Sequence, residues 1–93
     1  MSDAQSLARE LGERGYTCAT TQAVDGASCI IREGPNGTFE PPAQVHFRNP
    51  GHHDGGGVGW QDAGGQTQRE PRDISDTALA EAVIASIELF NPA

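Results

Sequence analysis

The stretch SDTALAEAVIASIELF, residues 75–90, carries the clearest structural pattern in the chain. Its large apolar residues recur every three or four positions and make one stripe along a helix: Leu79, Val83, Ile87 and Phe90. The alanines between them would let this helix pack closely on a sheet. Ser75 or Asp76 is suited to cap its first turn, because a side-chain oxygen there accepts a hydrogen bond from an unpaired backbone amide. We therefore predict a helix over about 76–90 that covers a sheet.

The middle of the chain carries the pattern of the strands that such a helix would cover. Ala43, Val45 and Phe47 alternate with polar residues, which is typical of a strand with one dry face. Segments of this kind predict strands at about 16–23, 27–33, 43–48 and 58–62. The polar, glycine-rich segments at about 49–57 and 63–73 predict mobile loops.

The opening segment predicts a first helix over about 3–14. Ser2, followed three residues later by Gln5, fits a capping box at its start. Gly15 is suited to end the helix, because glycine readily adopts the left-handed conformation that follows a last turn. The predicted fold is therefore α+β: an N-terminal helix, a three- to four-stranded antiparallel sheet and a C-terminal helix, in one two-layer domain over residues 1–93.

Charge and composition narrow the function. Thirteen acidic residues oppose six basic ones, and the net charge is −7. A negative field repels the phosphate backbone, so direct nucleic-acid binding is disfavoured and a protein partner with a basic surface is favoured. A further alternative is a nucleic-acid mimic that occupies a basic groove. The sequence also leaves open whether the protein forms a homodimer.

Two observations concern the compartment. The chain opens without a basic and apolar leader, and no apolar stretch approaches the roughly 20 residues of a membrane span, so we expect a cytoplasmic protein without a membrane partner.

A tight turn at Asp25-Gly26 would place Cys29 opposite Gln22. Cys18 would then lie about 13 Å from Cys29, which is too far for a disulfide.

The stretch NPGHHDGGGVGW, residues 49–60, contains the candidate functional residues. We predict an interaction loop from its polar and aromatic side chains, which are His52, His53, Asp54 and Trp60. The alternative is a metal site for zinc or another divalent ion, with His46, His52 and His53 as ligands. Otherwise we assign no cofactor and no catalytic residue, because no complete motif for either is present.

The opening LARELGERGYTCATT, residues 7–21, resembles the start of the HicA-type toxins, which share the double-stranded-RNA-binding fold. The resemblance implies the order helix, strand, strand, strand, helix. This chain departs from that family where Ala27-Ser28-Cys29 stands in place of a catalytic histidine. The resemblance is therefore one of element order and implies no function.

Together these features predict a small, acidic, non-enzymatic binding protein that acts through protein-protein contact. An inhibitor or accessory factor of bacterial or phage origin fits this description. The alternative of a different class is a histidine- or metal-dependent hydrolase that uses His46, His52 and His53.

Overall fold

The computed structural model describes residues 3–24, 26–48, 56–62 and 64–88. Its elements in chain order are α1 Ala4–Glu13, β1 Thr17–Ala23, β2 Gly26–Gly34, β3 Gly37–Arg48, β4 Val58–Gln61, β5 Thr67–Glu70 and α2 Asp76–Glu88. Within these residues the strands form one antiparallel sheet in the order β1-β2-β3-β4-β5. The predicted α+β class and element order are confirmed, with five strands in place of three or four.

Both helices pack on the same face of the sheet. Their buried side chains join those of the strands in a single apolar core. In α2 the fully or almost fully buried residues are Leu79, Ala80, Val83 and Ile87. The predicted stripe is thus confirmed at its three described large residues, while Phe90 lies outside the described residues. Ser75 caps this helix, because its hydroxyl accepts a hydrogen bond from the Ala78 amide at 3.1 Å.

Asp3 caps α1, where the sequence had favoured Ser2. The Asp3 carboxylate accepts a hydrogen bond from the Ser6 amide at 2.7 Å, and Ser2 lies outside the described residues. Gly15 follows the helix with a φ of 91°, and the next amide, that of Tyr16, bonds back to the Leu11 carbonyl at 3.0 Å. The predicted glycine stop is therefore confirmed.

The first hairpin is two residues out of the predicted register. Ala23 pairs with Gly26, so Gly26 is the first paired residue of β2 and not part of the turn. Position 26 requires glycine because β3 passes very close to it. A β-carbon on this residue would lie 2.0 Å from the Phe47 carbonyl oxygen. This glycine is needed for the contact between two strands, and the sequence pattern attributed it to the turn.

Two further differences concern β3 and β5. β3 begins at Gly37, before the predicted strand at about 43–48, and continues through Pro41 and Pro42, because four of its residues, 39–42, bulge out opposite the single residue Arg32 of β2. β5 lies within the segment 63–73, which was predicted as a loop. Its residues are polar on both faces, so no alternation of apolar and polar residues indicates a strand there.

Candidate functional site

The predicted interaction loop falls mostly outside the described residues. His52, His53 and Asp54 all lie there, so the interaction loop and the three-histidine metal set remain predictions. His46 and Trp60 are described, and they lie on opposite faces of the sheet. Among the described residues, no group of three or more histidine, cysteine, aspartate or glutamate side chains is placed to hold a metal ion.

Trp60 lies on the face of the sheet that the helices cover. Its side chain belongs to the core and is 5% exposed. The indole Nε1 donates a hydrogen bond to the Ser86 hydroxyl at 2.7 Å, which ties β4 to α2. This residue therefore joins sheet and helix, and little of its ring is presented to solvent.

His46 lies on the other face, which no described helix covers. Adjacent strands place it directly opposite Ser28 on one side and Gly59 on the other. We call this surface the open face and define it by the outward residues of the five strands: Ala19, Thr21, Ser28, Ile30, Gln44, His46, Arg48, Gly59, Gln61, Thr67 and Arg69.

A hydrogen-bonded network fixes the centre of the open face. The Ser28 hydroxyl lies 2.9 Å from Nδ1 of His46 and accepts a hydrogen bond from the Gln44 side-chain amide at 3.1 Å. The Ser28 oxygen thus joins the Gln44 side chain to the imidazole, and Nδ1 of His46 is occupied by this contact. Ser28 is 4% exposed, His46 is half-buried and Gln44 is exposed, so the network runs from a buried hydroxyl to the solvent.

The ionisable side chains of the open face are all basic: His46, Arg48 and Arg69. The Arg48 guanidinium lies over Gly59, since a β-carbon built on that glycine would be 3.6 Å from one guanidinium nitrogen. In contrast, α2 on the opposite side carries Asp76, Glu81 and Glu88 and no basic residue. Within the described residues, an acidic α2 and an open face with basic side chains therefore lie on opposite sides of one small domain, while the carboxylates of Glu40 and Asp62 lie at one end of that face.

A groove of about 830 Å³ opens at one end of this face. It exists because β4 pairs only with Val45–Phe47, which leaves the first half of β3 without a strand on that side. Apolar side chains line one part of the groove and polar ones the other, including Phe39, Pro41, Ile87, Gln44, His46 and Gln61. Its volume lies in the usual range of ligand pockets.

Asp62 organises the loop beside this groove. Its Oδ1 accepts hydrogen bonds from the amides of Gly64 and Gln66, both at 2.9 Å, and its Oδ2 accepts one from the Gln68 side chain at 2.9 Å. These bonds, first the one from the Gln66 amide, lower the pKa of the Asp62 carboxyl below its usual value. A single carboxylate thus holds the connection between β4 and β5 in shape.

The two cysteines lie closer together than the sequence indicated. Cys29 pairs with Thr20 and Ile31 pairs with Cys18, so both thiols project from the core face as diagonal neighbours. A hydrogen bond between them lowers the pKa of the Cys18 thiol and, with burial, raises that of Cys29. The predicted separation was wrong because the hairpin register differs by two residues. Both thiols are unoxidised in this structure, and Cys29 is fully buried.

Part of this site was visible in the sequence. The alternation of β3 indicates that Gln44, His46 and Arg48 share a face. Ser28 was missed as their partner because only the register between β2 and β3 places it opposite His46.

Comparison with known proteins adds no relative. No protein-family model matches the chain, and no curated protein or solved structure is similar to it at a significant level. The resemblance of the opening segment to the HicA-type toxins is therefore supported by no match, and the five-stranded sheet departs from the element order that it implied. No helix in the described part of the chain has the length and apolar character required to cross a membrane.

Proposed function

We propose that this protein is a small non-enzymatic binding protein that docks on another protein through the open face and its groove. The observation that carries the proposal is the hydrogen-bonded network of Ser28, His46 and Gln44 on a sheet face that no described helix covers. Side chains held in place before binding lose little conformational entropy on association. Such a surface is suited to recognition.

The polar groups of the open face indicate which groups a partner presents to it. Gln61 is exposed and presents N–H donors, and Gln44 is exposed and has a second N–H besides the one bonded to Ser28. Matching acceptors on a partner are backbone carbonyls and side-chain amides, while an apolar side chain fits the groove beside Phe39 and Pro41. The partner's contacting segment is therefore rich in acceptors and carries at least one apolar side chain.

The net charge acts at longer range. At −7, the protein attracts molecules with a basic surface, and α2 concentrates part of that acidity on the side away from the open face. Electrostatic attraction of this kind raises the rate of encounter more than it strengthens the final contact. We therefore expect a partner with a net basic charge that approaches in the protein's negative field and presents its acceptor-rich segment, and not its basic surface, to the basic groups of the open face.

Quantitative affinity capture with matched variants tests the proposal. Gln61→Arg adds a bulky positive side chain to the open face, and Gln5→Arg makes the same change at an exposed position of α1. The wild type and Gln5→Arg should retain the same basic protein, and Gln61→Arg should lose it by roughly ten-fold or more. If all three proteins retain it equally, the open face is not the docking surface.

A second candidate function is a hydrolase, and one distance favours it. The Ser28 hydroxyl lies 2.9 Å from His46, within the reach that a general base needs to activate a nucleophile. This pairing would give the histidine-dependent alternative a nucleophile. A fluorophosphonate probe distinguishes the two functions, because a hydrolase forms a covalent adduct on Ser28 that Ser28→Ala abolishes. If the chain is a binding protein only, the probe should leave it unlabelled.

A further inference from the structure

β1 is an edge strand whose only protective feature is a register shift at its start, between Thr17 and Cys18. Within the described residues it pairs only with β2. Its seven residues, TCATTQA, include no charged side chain, no proline and no glycine. Natural sheets guard a free edge with such residues because its unpaired N–H and C=O groups can bind another strand. The regular edge from Cys18 to Ala23 therefore marks a surface for strand addition.

The opposite edge shows the contrast. β5 has four residues, two of which are the charged Arg69 and Glu70, and Pro71 follows at once. Short length, charge and proline are the usual means of preventing edge pairing. The two edge strands of the sheet thus differ, and of these two only β1 is suited to accept a strand.

The side chains of β1 are also suited to pairing. Those of Thr17, Thr20, Thr21 and Gln22 are exposed. Threonine favours strands and forms good cross-strand pairs with itself. An added strand would therefore meet β-branched and polar side chains with no charge to desolvate.

Charge indicates which strand is added. α1 packs on β1, and with its caps Asp3 and Arg14 it carries two arginines, Arg9 and Arg14, against three carboxylates, Asp3, Glu10 and Glu13, so its net charge is only −1. The acidic surplus lies elsewhere, for example on α2. A second copy of this chain would therefore meet the least electrostatic repulsion at β1, and opposite charges on the two α1 helices could face each other across a two-fold axis. A basic partner gains little at this nearly neutral edge.

We propose that two copies of the chain pair through β1 in antiparallel orientation and form a continuous ten-stranded sheet. The two-fold axis passes through Thr20, the centre of the strand, so that Thr20 faces its own copy. Cys18 then faces Gln22 and Ala19 faces Thr21 of the other copy. Each copy contributes the same surface, as a two-fold dimer requires. This inference is independent of the proposed docking on the open face.

Native mass spectrometry and light scattering test the dimer. The wild type should show roughly twice the chain mass of 9.8 kDa. Thr20→Lys places two like charges directly opposite each other at the seam and should weaken the dimer by roughly ten-fold or more. Thr67→Lys makes the same exchange at an exposed position of the other edge and should leave the dimer unchanged. Far-UV circular dichroism checks that both variants fold.

A mixing experiment makes the test specific for the seam. Thr20→Glu should also weaken self-association, and a mixture of the glutamate and lysine variants should restore a dimer that contains one copy of each. A wild type that stays monomeric throughout the micromolar range would overturn the proposal. So would a dimer that survives Thr20→Lys but is lost in Thr67→Lys.

Discussion

Tyr16 shows how a single buried residue couples three elements at the residue scale. It follows α1, its ring stacks on Phe39 of β3 with centroids 6.3 Å apart, and its hydroxyl donates a hydrogen bond to Glu88 of α2 at 2.8 Å. Burial, followed by the hydrogen bond and charge of Glu88, raises the pKa of Tyr16 to about 12. The neutral phenol is thus favoured in the folded state.

This shift gives a prediction that the chain makes easy to test, because Tyr16 is its only tyrosine. An unfolded tyrosine has a pKa of about 10, so the stabilisation is fully present below pH 10 and is lost as the pH rises from about 10 towards 12. The tyrosinate absorbance should rise with a midpoint near 12 in the folded protein. Glu88→Gln should lower that midpoint. A midpoint near 10 in the folded wild type would contradict the observed environment.

Gly26 provides a second prediction at this scale. Its φ is 153°, and an added β-carbon would lie 2.0 Å from the Phe47 carbonyl oxygen. Gly26→Ala should therefore destabilise the fold by about 3 kcal/mol. Gly12 in α1 is the matched control, since an added β-carbon meets no atom within 4 Å there, and Gly12→Ala should stabilise by about 0.5–1 kcal/mol. Urea unfolding followed by the fluorescence of Trp60 measures both. Equal effects would disprove the role assigned to Gly26.

At the scale of elements, the N-cap of α2 makes the clearest prediction. The Ser75 hydroxyl accepts a hydrogen bond from the Ala78 amide, and Ser75→Ala should reduce the free energy of unfolding by about 1 kcal/mol. Thr77→Ala removes a hydroxyl from an exposed residue of the same turn and should have an effect within about 0.5 kcal/mol. Urea unfolding compares the two, and a larger loss in the Thr77 variant would contradict the assigned cap.

The elements also show which parts of the fold the sequence could predict. Both helices were predictable because their apolar stripes and their stop or cap signals agree, as at Leu79, Val83 and Ser75. β5 was not, because an edge strand made of Thr67–Glu70 buries too little for an alternating pattern to develop. The register of the first hairpin was missed because the need for glycine at position 26 comes from its contact with Phe47, a residue far along the chain.

The same limit applies to the candidate site. His46, Gln44 and Arg48 were predictable as one face of a strand, because alternation within β3 places them together. Ser28 required knowledge of the pairing between two strands, which local pattern does not contain. The part of the site within one strand was therefore predicted, and the part that depends on how two strands pair was missed.

At the scale of the whole molecule, two unlike surfaces lie back to back. The helical side carries an acidic helix, and the open face carries donors and basic groups arranged around a fixed hydrogen-bonded centre. Association with a basic protein should therefore slow as salt is raised, because salt screens the long-range attraction, while dissociation should change much less. Stopped-flow or surface-based kinetics separate the two rates, and an association rate that does not change with salt would contradict steering.

The most direct test of docking through the open face is diethylpyrocarbonate labelling of the chain's three histidines, free and in complex with its captured partner. His46 lies at the centre of the open face, with Nδ1 bonded to Ser28. Docking on this face should reduce the labelling of His46 by roughly ten-fold, since a buried contact excludes the reagent. If His46 is labelled equally in the free protein and in the complex, the partner binds elsewhere and the proposed docking surface is wrong.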